Sequence, residues 1–223
     1  QAMSYLINRE GIVERVLNGI GTPGISPVSM ALPWFNDDVH RFAYNPEKAV
    51  ELLAEAGYGP GDIKLRLYTN ESPERVRIAE ILQFEAQQVG IEVEVTVEEW
   101  GAYLTRIQET DDFDIFILGW AGQLDPDRAM IRQFHTDGAN NYGKYSNERV
   151  DYLLEQGRTV PPESQESLDF YGEAQEIIVW EAPYGFINYS EEVGLMHPWV
   201  KNWEVHPYSA AAWQDVYLMD KQK

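Results

Sequence analysis

Three segments in the middle of the 223-residue chain have the apolar spacing of β-strands. IKLRLYT (63–69) and IEVEVTV (91–97) alternate apolar and polar residues, which is typical of strands with one exposed face. FDIFIL (113–118) is apolar at nearly every position, as expected for a strand covered on both faces. Residues 72–90 and 98–109, which lie between these strands, have apolar side chains at helical spacing. This alternation predicts an α/β fold with a parallel sheet and right-handed crossovers.

Helices and irregular segments are predicted on both sides of this unit. Asn45 followed by Pro46 is typical of a helix start, and Gly57 is typical of a helix end. The spacing of apolar residues predicts helices at 1–18, 46–56, 125–134, 147–157 and 163–181, and strands at 184–190 and 192–196. The remaining long segments, which we expect to be irregular, are 19–44 and 197–223. We therefore predict a mixed, mainly parallel sheet flanked by helices.

The carboxyl ends of the three central strands are the expected position of a ligand. In open parallel sheets, ligands bind outside these ends. Trp120 directly follows Gly119, so an indole stands at the exit of an apolar strand. The segment that leaves the first strand begins with Thr69 and Asn70. We predict ligand contacts at these four residues.

Aromatic side chains in predicted loops are further candidates for ligand contact. Trp34, Tyr142 and Tyr145 lie in loops that could line a cleft. Large rings with few rotamers contribute contact area at low entropic cost, which suits a surface for small, varied ligands. Core packing is the alternative for each ring. For Trp34 and Phe35, this alternative would mean that they pin the loop to the core, and it stays open.

The net charge of −20, from 37 acidic and 17 basic side chains, narrows the choice of partners. A strongly negative field repels phosphate backbones, which argues against nucleic acid as a partner. Concentrated salt would screen the self-repulsion of such a chain, so we attribute the charge to a halophilic source. An ordinary acidic protein is the alternative. The absence of cysteine excludes disulfides and thiolate chemistry.

Carboxylates near the predicted sheet invite a catalytic interpretation. Asp111, Asp112 and Asp114 lie at the start of a strand, the wrong end for catalysis, and Glu98–Glu99 begins a helix, where acids favour the dipole. We interpret both groups as structural. Asp125 and Asp127 could bind a metal ion with His135, but Asp125 before Pro126 is also an ordinary helix cap. We predict no metal or cofactor, and a carboxylate-dependent hydrolase is the alternative function.

Six ordered segments resemble one family, the extracellular solute-binding proteins of ABC importers, family 5, whose members carry peptides, nickel and some sugars. These segments are QAMSYLINREGIVERVLNGIGTPGISPV, YNPEKAVELLAEAGY, AEILQFEAQQVGIEVEV, EEWGAYLTRI, FDIFILGWAGQLDPD and YSNERVDYLLEQG. Family members are typically more than twice as long as this chain. The resemblance implies that residues 1–200 are a periplasmic-binding-protein-like lobe, domain III of the peptide-binding class. Residues 201–223 would return toward an N-terminal lobe outside the chain.

The resemblance also implies a function and a location. Two lobes would close on a peptide or another small solute by a hinge motion and deliver it to permease subunits in the membrane. The protein would act at the extracellular or periplasmic face, with a lipid anchor in a segment outside this chain. It would not be an enzyme.

Charged ligand anchors of peptide-binding relatives are not found at the matching positions. In these relatives, an aspartate follows shortly after a Gly–Trp pair. Gly119 and Trp120 match this pair, but the residue nearest to the aspartate position in this chain is Gln123. Dipeptide-binding relatives place an arginine where Thr69 aligns. Each anchor would contribute on the order of 1.5–3 kcal/mol. The resemblance therefore favours longer peptides held through their backbone, or an uncharged solute stacked on tryptophan, and Gln123 is included among the predicted contacts.

Overall fold

The computed structural model describes residues 1–121, 124–191, 193–205 and 213–219. The helices are α1 (Ala2–Tyr5), α2 (Arg9–Arg15), α3 (Pro46–Glu55), α4 (Pro73–Gln88), α5 (Trp100–Glu109), a π-helical turn (Asp127–Ile131), α6 (Arg132–Phe134), α7 (Glu148–Gly157) and α8 (Gln165–Glu181). The strands are β1 (Thr22–Pro23), β2 (Ile63–Asn70), β3 (Ile91–Glu98), β4 (Ile115–Phe116), β5 (Asn188–Tyr189), β6 (Val200–Lys201) and β7 (Tyr217–Leu218). Among the helices in these ranges, none is long and apolar enough to cross a membrane.

The central sheet has the strand order β3-β2-β4, and its strands are all parallel. β2 pairs with β3 over eight positions, from Ile63 opposite Ile91 to Asn70 opposite Glu98. β4 pairs with β2 only at Ile115 and Phe116, so this strand is shorter than the predicted 113–118. The α/β prediction with a parallel sheet is confirmed. Because the strands are parallel, their carboxyl ends lie at one edge.

Both faces of the central sheet are covered, which explains the apolar run of the third strand. Ile115 and Ile117 belong to the core formed with α1, α3 and α4. Phe116 and Leu118 belong to a smaller cluster on the α5 side, where Tyr103 is fully buried. Successive strand residues point to opposite faces, so a strand between two cores is apolar on both.

A second core lies among α7, α8 and the π-helical turn. Its fully buried side chains include Met130, Phe134, Leu153, Leu154 and Ile178. Trp34 packs into the same core and is only 9% exposed. The irregular segment 19–44 is thus pinned to the helices, as in the alternative noted for Trp34 and Phe35.

The prediction of one continuous helix over residues 1–18 is wrong. The chain forms two short helices, α1 and α2, with a break between Leu6 and Asn8. The Asn8 side chain caps α2 by accepting a hydrogen bond from the Gly11 amide at 2.9 Å. Arg9 is then buried, and its guanidinium donates to the carbonyls of Phe42 and Phe186, at 2.6 Å in each case. These long-range contacts determine where the second helix begins.

The predicted strands at 184–190 and 192–196 are also wrong in extent. Only β5 forms in the first of them, and it pairs antiparallel with the two-residue β1. Proline at position 23 has no amide hydrogen to continue a ladder. Residues 193–196 form no strand, and Leu195 is 97% exposed. In the tail, β6 and β7 pair with each other.

Gly90, directly before β3, packs closely against Pro60. Its φ is +82°, and a Cβ there would lie 2.5 Å from Cα of Pro60. Gly57 has a similar φ of +85° but no atom within 4 Å of its Cβ position. We expect Gly57→Ala to lower the free energy of unfolding by about 1–2 kcal/mol through backbone strain alone. Gly90→Ala should cost at least ~1 kcal/mol more because backbone atoms must also move. Equal losses in urea denaturation would contradict this packing.

Candidate ligand-binding site

Arg75 lies where the exits of the three central strands meet. This residue is in the first turn of α4, and its Nη1 donates to Asn70 Oδ1 at the end of β2 at 2.9 Å. Its Cζ lies 5.8 Å from the ring centroid of Trp100, just after β3. Its Nη2 lies 3.2 Å from the point where a Cβ on Gly119, after β4, would stand. The structure therefore brings Asn70 and Gly119 to one shared edge.

Sequence analysis did not single out Arg75, although a signal was present. The arginine follows Asn70 by five positions and lies in the first turn of the helix that leaves β2. In an open parallel sheet, the first turn of such a helix lies at the ligand edge. The candidate residues were taken from strand ends and loops. Arg75 reaches the same edge from α4, so it was not among them.

Thr69 is at the same edge but is fully buried. Its exposed fraction is 0%, and its Oγ1 has no hydrogen-bond partner among the described residues. Two positions from Leu67, it shares the strand face that is turned to the core with α4. With no exposed surface, Thr69 cannot contact a ligand in this structure, and its prediction as a ligand contact is corrected.

Trp120 is half-buried and packs beside Tyr142. The two ring centroids are 5.9 Å apart with an angle of 37° between the planes. The Tyr142 hydroxyl accepts hydrogen bonds from Gln108 Nε2 at 3.1 Å and Asn140 Nδ2 at 2.7 Å. The indole at the strand exit is thus held by a ring that polar contacts fix in place.

Trp34 does not lie at the sheet edge. Its indole Nε1 donates to Ser167 Oγ at 3.0 Å inside the second core, and its carbonyl accepts from Gln175 Nε2 at 2.8 Å. The prediction of Trp34 as a ligand contact is therefore corrected, because the ring and its only donor are already engaged. Gln123, another predicted contact, lies outside the described residues.

The carboxylates around β4 have structural partners, as predicted. Arg66 contacts both Asp112 and Asp114, and Arg106 contacts both Glu98 and Asp112. Hydrogen bonds from Arg66 hold the pKa values of Asp112 and Asp114 below the usual range. These pairs cross-link β2, β3, α5 and the segment before β4.

Glu99 likewise has a structural role at a helix start. Its Oε2 accepts hydrogen bonds from the amides of Gly101 at 2.8 Å and Ala102 at 3.3 Å. It therefore caps α5, which begins at the next residue.

The acids after β4 are also engaged separately. Asp125 accepts a hydrogen bond from the Arg128 amide at 2.9 Å, which is the predicted helix cap. Asp127 pairs with Arg158 at 3.1 Å, and burial raises its pKa. His135 Nε2 lies 3.3 Å from Glu155. Within the described ranges, no three potential metal ligands come together.

Residues 1–141 match the family model described as bacterial extracellular solute-binding proteins, family 5 Middle. This match covers more than half of the chain, and the chain belongs to this family. The resemblance inferred from the six sequence segments is confirmed.

Known relatives match almost all of the chain. Over 240 residues it is 30% identical to the oligopeptide-binding protein AppA of Bacillus subtilis, covering 99% of this chain and 42% of AppA. Over 228 residues it is 29% identical to heme-binding protein A of Haemophilus influenzae, covering 99% and 41%. The structure of Bacillus subtilis AppA in complex with a nonapeptide matches with a TM-score of 0.84 at 26% identity, covering 99% of this chain and 47% of that one. The periplasmic-binding-protein-like fold class is confirmed, and the chain spans less than half of these relatives.

Two tryptophans provide a matched test of these assignments. We expect Trp34→Ala to lower the free energy of unfolding by about 3–5 kcal/mol, because a buried ring and its hydrogen bond are lost. Trp120→Ala should cost only about 1–2 kcal/mol, because that ring is half-exposed and mainly loses its aromatic contact. Chemical denaturation followed by circular dichroism measures both values. Equal losses would mean that the indole of Trp120 belongs to the core.

The pair between Asp114 and Arg66 predicts stability that depends on acid. Arg66 lowers the pKa of Asp114 in the folded chain. The stabilisation is therefore complete above the unfolded pKa of about 3.9 and is lost as pH falls through the lower folded pKa. We expect Asp114→Asn to be less stable than the wild type at about pH 7 and the difference to shrink below about pH 4. A difference that stays constant with pH in urea titrations would contradict this account.

Proposed function

We propose that this chain is the C-terminal ligand-binding lobe of the substrate-binding component of an ABC importer. The observation that carries the proposal is the family match over residues 1–141. In this proposal, residues 1–200 form the domain III-like lobe, and residues 201–223 return toward an N-terminal lobe. The complete protein works at the extracellular or periplasmic face, held by a lipid anchor, and passes its ligand to permease subunits.

An exposed apolar side chain at the sheet edge supports closure by a second lobe. Trp100, directly after β3 and beside Arg75, is 43% exposed. A ligand on this edge would keep one side in water. A closing lobe would exclude that water and strengthen each polar contact with the ligand.

A peptide or another small solute fits this edge better than a macromolecule. The relatives named above are an oligopeptide-binding and a heme-binding protein, and the matched AppA structure holds a nonapeptide. The net charge of −20 argues against nucleic acid. The Trp100 ring just after β3 and the Arg75 cation beside it offer contacts to the apolar and polar parts of such a solute.

The carboxylate-dependent hydrolase is not favoured. The candidate acids around the central sheet are paired with arginines or cap helices. A general acid–base pair needs groups that can reach a substrate and exchange protons. In the proposal, the protein therefore binds its solute and releases it unchanged.

Solute capture by the complete protein tests this function. We expect protein exposed to a yeast-extract filtrate to retain specific solutes, which mass spectrometry recovers chemically unchanged. The 223-residue chain alone should bind the same solutes at least about tenfold more weakly, because the second half of the cleft and the exclusion of water are missing.

One test variant and one control variant make the result decisive. Trp120→Ala in the complete protein should weaken binding, whereas Tyr152→Ala, an exposed side chain on α7, should not. Retention of nothing, equal affinity of the isolated chain, or recovery of cleaved products would each contradict the proposal.

A further inference from the structure

Asp127 joins the turn after β4 to the second core, and we propose that it is a positioning residue that sets the place of Trp120 for the ligand. This inference rests on the proposed function, because Trp120 belongs to the proposed ligand site. Asp127 opens the π-helical turn, and its Oδ2 lies 3.1 Å from Nε of Arg158, directly after α7. Its Oδ1 accepts a hydrogen bond from the Tyr171 hydroxyl on α8 at 3.5 Å. Two helices of the second core thus hold the start of the turn.

The end of α7 leaves room for these contacts. Gly157 is the last residue of α7, and the Tyr171 ring lies against it. A Cβ at position 157 would stand 2.6 Å from Cζ of Tyr171, the ring atom that carries the hydroxyl. Tyr171 is only 3% exposed, so its ring has little freedom to move aside. A side chain at position 157 would therefore displace the hydroxyl that donates to Asp127.

The backbone of Asp127 closes the π-helical turn. Its carbonyl accepts a hydrogen bond from the amide of Arg132, which follows the turn. Such a turn holds one residue more than an α-helical turn, and turns of this kind are frequent at functional sites. Ala129 and Met130 of the turn are fully buried in the second core. The side-chain contacts of Asp127 and the burial of these two residues fix where Arg132 lies.

A chain of contacts runs from Arg132 to Trp120. The Arg132 carbonyl accepts a hydrogen bond from the Asn140 amide at 2.7 Å. The Asn140 side chain donates to the Tyr142 hydroxyl at 2.7 Å. The Tyr142 ring packs beside Trp120, with 5.9 Å between the ring centroids. A shift of the π-helical turn therefore reaches the indole through packed and hydrogen-bonded groups, which form the kind of network that carries coupling between residues.

The negative charge of Asp127 does not stabilise the fold. Burial raises the pKa of this carboxyl group, and the attraction of Arg158 offsets that rise only in part. A carboxyl group whose pKa is higher in the folded chain than in the unfolded chain disfavours folding when it is ionised. The side chains of Arg158 and Asp127 are also 57% and 40% exposed, so water screens their attraction. We therefore expect Asp127→Asn to be at least as stable as the wild type at about pH 7, although the ion pair that holds the turn is lost.

Retention of solutes by the complete protein tests this positioning role. The probe is the same yeast-extract filtrate as for the wild type. We expect Asp127→Asn and Arg158→Gln each to lower retention by about threefold or more, because Trp120 is no longer held in place. Glu173→Gln is the matched control, since Glu173 pairs with Arg149 between α7 and α8, and it should leave retention unchanged. Urea denaturation measures the stability of each variant.

A double variant of the complete protein shows whether Asp127 acts through Trp120. Trp120→Ala alone should lower retention, and the addition of Asp127→Asn should lower it no further, because the indole that Asp127 positions is gone. Two independent contributions would instead multiply. A purely structural role of Asp127 would weaken retention equally with and without the indole, so this comparison distinguishes it from positioning.

The outcomes separate this inference from the proposed function. The positioning role is overturned if Asp127→Asn retains solutes like the wild type, if it loses stability together with retention, or if its effect is the same with and without Trp120. It is also overturned if Trp120→Ala retains solutes like the wild type. In each of these cases, solute binding by the wild type stands. If the wild type retains nothing, the proposed function fails and the inference fails with it.

Discussion

The eight-position parallel pairing of β2 with β3 is the constraint on which the rest of the site depends. It fixes Asn70 opposite Glu98, and β4 joins the other side of β2 in the same direction. Three chain segments are thus forced to leave the sheet at one edge, although they are far apart in sequence. One arginine can then touch all three exits. A shift of register would separate Asn70 from the start of α5 and would disperse this arrangement.

The arginines around the central sheet differ in the charge of their partners. Arg66 and Arg106 are held among Asp112, Asp114 and Glu98, where they connect neighbouring elements. Arg75, at the carboxyl edge of the sheet, donates to the neutral Asn70 side chain instead. In a chain with a net charge of −20, position rather than composition decides which arginines pair with acids. The halophilic source inferred from this charge stays a prediction.

Sequence patterns correctly predicted the elements that depend on residues close together in the sequence. β2, α4 and β3 agree with the predicted segments to within two residues, and Asn45 caps α3 as predicted. The patterns failed where distant contacts decide the outcome. The break at Asn8 depends on Arg9 bonding to carbonyls more than thirty residues away, and β5 is limited by its two-residue partner. At the site, Asn70 and Gly119 came from strand ends, whereas Trp34 could not be assigned without its bond to Ser167.

Within the described ranges, the strand order of the central sheet leaves β3 and β4 each with one side that pairs with no other strand. β4 contributes only two residues, so it offers little backbone to a second molecule. β3 is long, but Glu92 and Glu94 are exposed along it. Carboxylates on an edge strand repel the same strand of another copy and oppose sheet extension. The two exposed glutamates of β3 therefore disfavour edge-to-edge pairing of this strand with another copy of the chain.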